Sequence, residues 1–197
     1  MTKFITGKKK KKAVYDIIWE ANETLIIVSP FIKLDDYFKK LFDKHANNPK
    51  INLVIVFGKN EGAVNKSMSK EDFDYFKKFL NICIVYVPHL HAKYYGNESM
   101  GVTTSINLYD YSFKNNIEFG VYSEYNLLNN FTQSVDKTAW LTCMDIATSN
   151  EVVFIKRPVV EKRLLSSLLG KSYIKSDVLL DSTDKFYNPV FYKTKKS

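Results

Sequence analysis

Two short runs of almost unbroken apolar residues, Thr24 to Phe31 (TLIIVSPF) and Ile51 to Phe57 (INLVIVF), stand out along the chain, and Ile82 to Val87 (ICIVYV) makes a third. Apolar runs of this length without alternation predict strands buried on both faces. Between them the apolar period changes. Val14, Ile17, Ile18 and Ala21 predict an amphipathic helix from about Lys8 to Asn22, with a frayed, lysine-rich start. Leu34, Tyr37, Phe38, Leu41 and Phe42 predict a second from Leu34 to about Ala46, stopped by Asn47-Asn48-Pro49. The polar stretch Gly58 to Met68 reads as a loop. Ser69 with Asp72 three residues on then resembles a capping box opening a short helix, with Phe73, Phe76 and Phe79 toward the core.

After Pro88 the pattern changes again, to three short strands at about His91 to Tyr95, Gly101 to Ser105 and Asn116 to Ser123. Leu127, Leu128, Phe131, Val135 and Ala139 predict a long helix from about Asn126 to Asp145. Val152 to Ile155 is a strand candidate and Val160 to Leu169 a helix candidate, while Ser172 to Ser197 is tyrosine-rich without a period. Strand-helix units followed by consecutive strands predict an α/β fold, a mixed β-sheet flanked by helices. The length suits one domain, residues 1–148, with a small C-terminal extension, 149–197, packed on it.

Composition alters this picture mainly through charge. The net charge of +8 suggests an anionic partner, yet nine lysines lie at the two ends: Lys3, Lys8 to Lys12, Lys193, Lys195 and Lys196. The rest of the chain carries 20 basic and 21 acidic residues and is nearly neutral. Terminal lysines can bind phosphates without specificity or simply be solvated. Cys83 and Cys143 lie in apolar surroundings and lack metal-ligand spacing, so they read as buried thiols. No apolar run approaches a membrane span and none follows the lysines as a signal peptide would, from which a soluble, cytoplasmic protein is expected.

The candidate chemistry begins at His91-Ala92-Lys93. A His-x-Lys pair alone is common in a lysine-rich chain. What singles this one out is its register with Glu98, Ser105, Asn107 and Glu118, all within the strand-rich segment. In this spacing the sequence resembles the phospholipase D superfamily, whose H-x-K-x4-D-x6-G-S-x-x-N signature, in single-copy nucleases often ending G-S-x-N, is followed about eleven residues later by Glu. Asn107 and Glu118 have that separation. Glu98 stands where the family has Asp, the gap after it is one residue shorter, and Thr104-Ser105 replaces Gly-Ser. The resemblance spans about Lys8 to Glu124 and is specific over His91 to Glu118.

The resemblance implies a phospholipase D-like α/β/α sandwich that cleaves phosphodiesters without a metal or cofactor. His91 would attack phosphorus, a neutral imidazole avoiding the repulsion an anionic nucleophile meets, while Lys93, Asn107 and Ser105 bind the phosphate. Glu118 would hold the other ring nitrogen of His91. Lys114 and Tyr94 are secondary candidates. Tyr94, Tyr95, Tyr109 and Tyr111 are candidates for base stacking or for half-buried sheet positions. A second histidine supplies the leaving-group acid in the superfamily, and a single motif implies a homodimer sharing its site across a two-fold axis. His89 is the within-chain alternative, and His45 reads as a charge favoured at a helix C-terminus.

Nucleic acid is the expected substrate, DNA before RNA, with an endonuclease as the leading reading. Phospholipid hydrolysis or phosphatidyl transfer uses the same chemistry, and an idle nucleic-acid-binding module of the same fold is a third possibility.

Overall fold

The computed structural model describes residues 2–59, 64–109, 117–124, 135–162 and 171–188. Three strands carry the longest apolar runs: β2 (Thr24–Ser29), β4 (Asn52–Phe57) and β5 (Ile82–Tyr86). They run parallel in the order β2-β4-β5. Their side chains alternate between two cores. Leu25, Ile27, Leu53, Ile55, Ile82 and Ile84 enter one apolar cluster, and Ile26, Val28, Val54, Val56 and Val85 enter the other. A period-2 backbone bearing apolar residues at every position needs cover on both faces, and helices provide it.

The first face is covered by α1 (Lys8–Glu20), α2 (Asp36–Ala46), the short α3 (Val64–Ser67) and α4 (Lys70–Phe76). The second is covered by α5 (Val135–Ser149), which buries Cys143 and Ala147 one turn apart. Capping fixes where two of the helices start. The Asp35 carboxylate accepts from Phe38 N at 2.8 Å, and Ser69 Oγ accepts from Asp72 N at 3.1 Å. The expected reciprocal box is altered, because Asp72 accepts from the Ser69 hydroxyl at 2.9 Å and turns its other oxygen to Leu34 N at 3.4 Å. Phe73, Phe76 and Phe79 are buried, as their spacing predicted.

The sheet continues antiparallel on both sides, giving nine strands in the order β1-β9-β7-β6-β2-β4-β5-β10-β11. Its further members are β1 (Thr2–Thr6), β6 (Tyr94–Asn97), β7 (Met100–Thr104), β9 (Phe119–Glu124), β10 (Glu151–Lys162) and β11 (Lys171–Asp181). A separate parallel pair joins β3 (Ile32–Lys33) to β8 (Leu108–Tyr109), and α6 (Thr183–Tyr187) follows β11. The mixed sheet between helical layers is the fold class read from the pattern.

Several expectations change in detail. The lysine-rich segment is helical from Lys8, and Lys10 is buried. Met1 apart, the residues before it form an edge strand paired with β9, which the sequence reading did not include. A helical turn, α3, occupies part of the expected loop 58–68. Residues 160–162 extend β10 instead of starting a helix, and residues 171–181 form β11. Most of the expected helix 126–145 before Val135, and Lys114 and Tyr111, lie outside the described residues. Cys143 is buried and Cys83 half-buried, both as free thiols. Among the described residues no helix is long and apolar enough to cross a membrane.

Candidate active site

The parallel strands β2, β4 and β5 all end at one edge of the sheet, and β6 starts there, Tyr94 lying opposite Val28. The crevice beyond the carboxyl ends of parallel strands is where open α/β sheets bind ligands. His91 and Lys93 enter it on the segment leading into β6, from the turn after β5. That turn runs Val87-Pro88-His89-Leu90, with Leu90 N donating to Val87 O at 3.4 Å and His89 at φ 60°. The predicted strand at His91 therefore starts three residues later, at Tyr94. His89, exposed at the turn, does not share a strand face with His91.

Pairing brings the other residues to the same edge. Thr104 N donates to Lys93 O at 3.1 Å, and Ser105 N donates to Phe119 O at 3.1 Å. Lys93, Ser105 and Glu118 thus arrive on three neighbouring chain segments. Ser105 Oγ donates to Glu118 Oε2 and accepts from Phe119 N at 3.2 Å. The expected role of Ser105 as a phosphate donor is therefore changed, since its hydroxyl proton is committed to the carboxylate. Lys93 Nζ donates to His91 O at 2.8 Å. His91, Lys93, Tyr94 and Ser105 share the wall of a cavity of about 550 Å³, closed on its far side by α5.

Beneath the site is a fixed polar frame. Tyr95 is fully buried and its hydroxyl donates to Ile106 O at 2.9 Å. Ser29 Oγ donates to Phe31 O at 2.7 Å and accepts from Leu108 N at 3.0 Å, tying the end of β2 to β8. Asn107 sits between Ser105 and this anchor. Its side-chain Oδ1 is buried without a hydrogen-bond partner among the described residues. Such an orphan acceptor costs free energy, and a native fold tolerates few outside functional sites. Tyr94 is buried on the α5 side, where it lines the cavity, and Tyr95 on the other, so neither ring is exposed at the surface, and Tyr109 is half-buried.

The local charges act on both His91 and Lys93. His91 is exposed, yet the charge of Lys93 and then that of Lys59 hold its pKa below the ordinary histidine value. Burial and the Lys59 charge lower that of Lys93, while Glu118 acts in the opposite sense. Lys59 follows the end of β4, with Nζ 5.7 Å from the centroid of the Phe31 ring. Sequence reading missed it as a loop lysine. Its position immediately beyond a buried parallel strand was the available signal.

Two residues singled out in the sequence lie elsewhere. Glu98 is at the β6–β7 turn, the opposite end of β6 from His91. Its carboxylate accepts from the backbone N–H groups of Asn22, Glu23 and Thr24 at 2.8, 3.1 and 3.2 Å. Burial alone would raise its pKa, but its own backbone N–H and those of Glu23, Thr24 and Asn22 hold it below the usual carboxylate value. Its role here is to fasten the link between α1 and β2. His45 is buried, with Nε2 2.6 Å from Ile18 O, and burial lowers its pKa. It is a core histidine joining α2 to α1 rather than an exposed charge at a helix end. Among the described residues no group of three or more His, Cys, Asp or Glu side chains is placed to hold a metal ion.

A histidine and a lysine beyond the ends of parallel strands thus share one sheet edge with a serine-anchored glutamate, in a mixed sheet between helical layers. Solved structures bear out the fold. The chain is similar to Nuc from Salmonella typhimurium, a phospholipase D family member, with TM-score 0.55 and 13% identity over 77% of this chain and 98% of that one. It is similar to NucT from Helicobacter pylori with TM-score 0.54 and 14% identity, over 76% and 94% of the two chains. TrmBL2, an archaeal chromatin protein, matches with TM-score 0.51 and 10% identity over 76% of this chain and 53% of its own. No family model and no curated protein sequence matches the chain. The fold is therefore that of the phospholipase D superfamily, as the motif resemblance implied.

Proposed function

We propose that this protein is a metal-independent phosphodiesterase, an endonuclease that cleaves nucleic acid through a phosphohistidine in a homodimer. The observation that carries the reading is the convergence of His91, Lys93, Ser105 and Glu118 at the carboxyl edge of the parallel strands, with the pKa of the histidine lowered by two lysines. In the first step His91 attacks phosphorus, an N–P bond forms and the bond to the leaving oxygen breaks. Lys93, Lys59 and Asn107 compensate the charge spread over the nonbridging oxygens. Glu118, anchored by Ser105, stabilises the imidazolium. The leaving oxygen takes a proton from the second acid. Water then gives a proton to that second group and attacks the phosphohistidine, the N–P bond breaks, and His91 is released.

His91 lies at an exposed position, and a covalent intermediate there gains from a second surface that closes over it. A second copy of this chain supplies both that cover and, through its own His91 in the protonated form, the acid. In this reading residues 1–148 carry the chemistry and 149–197 complete the fold, β10 pairing with β5 on the sheet.

The test is cleavage of single-stranded and duplex DNA and of RNA in EDTA, with His91→Ala beside the parent. We expect the parent to cleave and His91→Ala to lose at least about a thousandfold in turnover while retaining binding. Equal cleavage by both would defeat the mechanism. Binding of DNA without cleavage by the parent would instead identify a binding module; TrmBL2, similar over 53% of its length, is a chromatin protein that binds DNA.

A further inference from the structure

The cavity beside His91 extends well past the reacting groups. Its volume of about 550 Å³ falls in the range of pockets that enclose a small organic ligand. Beyond His91 and Lys93 at its mouth it runs between the β6–β7 hairpin and α5, lined by Tyr94, Thr103, Thr142, Cys143 and Ile146. Tyr94 and Cys143 are buried and form an apolar floor, whereas Thr103 of β7 and Thr142 of α5 are exposed and belong to opposite walls.

Whatever is bonded to a phosphate at His91 must pass near this opening. We propose that the cavity is a nucleobase pocket, receiving an unpaired base of a nucleotide that flanks the scissile phosphate. The proposal rests on the nucleic-acid reading of the site. A planar base has apolar faces for the floor between β6 and α5 and a rim of donors and acceptors for the threonine hydroxyls. An acyl chain has no use for hydroxyls on opposite walls. The cations at the mouth, Lys93 and nearby Lys59, match the phosphate that precedes or follows the base. A base inside the cavity has left its stack, so the pocket selects unpaired strands over intact duplex.

The experiment compares dinucleoside phosphates, joined by one phosphodiester, with analogues lacking the base on one side or the other. For the parent protein, removing the base on the pocket side is expected to lower kcat/KM by about ten- to a hundredfold, and removing the other base to change it little. Thr142→Trp, at an exposed helix position, fills the cavity and is expected to cleave the intact compound as slowly as the abasic one. If the parent cleaves intact and both abasic compounds at equal rates, the pocket is overturned while the nuclease reading stands. If it cleaves phosphatidylglycerol vesicles and no dinucleoside phosphate, both are overturned. The comparison on the parent needs no variant to fold.

Discussion

At His91, the charges of Lys93 and then Lys59 lower the pKa of an exposed imidazole. If His91 attacks phosphorus as proposed, its proton must be absent, so the acid limb of the kcat/KM profile reports the free enzyme's His91. Lys59→Met removes one of the charges that lower its pKa. The acid limb is expected to move to higher pH, because the protonated ring then meets less repulsion. An unmoved limb with lowered kcat/KM would mean that Lys59 binds phosphate without tuning the histidine. His45 predicts a change in stability instead. Burial holds its folded pKa below the ordinary 6.5, so the unfolded chain takes up the proton first as pH falls. The contribution of His45 is complete above the unfolded value and is lost as pH drops through the folded one. In urea titrations between about pH 7 and 5 the parent should lose more stability than His45→Gln. Parallel profiles would contradict this assignment.

Among the elements, legibility in the sequence followed burial. The strands β2, β4 and β5 are apolar at nearly every position because both faces are covered, and such runs are unmistakable. Edge elements carry a weaker signal. In β1, Phe4 and Phe119 of the neighbouring strand stack at 5.7 Å in an exposed position, so no inward stripe announces the strand. In β10, Pro158 interrupts the strand pattern. It is accommodated because β10 passes the end of β5 at Lys156 and has one open edge beyond it, where proline is tolerated. The candidate site was legible to the same degree. Register singled out His91, Lys93, Ser105 and Glu118, which lie at one sheet edge, whereas Lys59 reaches them only through the parallel pairing of β4, and Glu98 lies at the far end of β6. Helix caps behave locally, so Asp35→Ala is expected to cost about 1 kcal/mol in denaturant unfolding. Glu98→Ala should also destabilise, by about 1–2 kcal/mol for the lost backbone acceptor, while leaving kcat for a bound substrate unchanged. A fall in kcat would return Glu98 to the reaction.

For the whole molecule, the decisive question is whether one chain holds one complete site. Three histidines are present, of which His45 is buried and His89 is exposed in the turn before His91. A shared site on a two-fold axis uses the same residue twice, as nucleophile in one chain and acid in the other, so each dimer needs both copies of His91 intact. This makes a quantitative prediction. When parent protein is unfolded and refolded with an equal amount of His91→Ala, random pairing leaves about one quarter of dimers with two intact histidines. Activity per parent chain should then fall to about half, and with increasing excess of the variant it should fall in proportion to the parent fraction. Independent sites in each chain would instead leave activity per parent chain constant at every ratio. A control mixture with Asp35→Ala, which keeps His91, should show no such loss. Constant activity in the first mixture would exclude the shared histidine and turn the search for the acid to His89, whose replacement by Gln should then lower cleavage of a poor leaving group more than that of a good one.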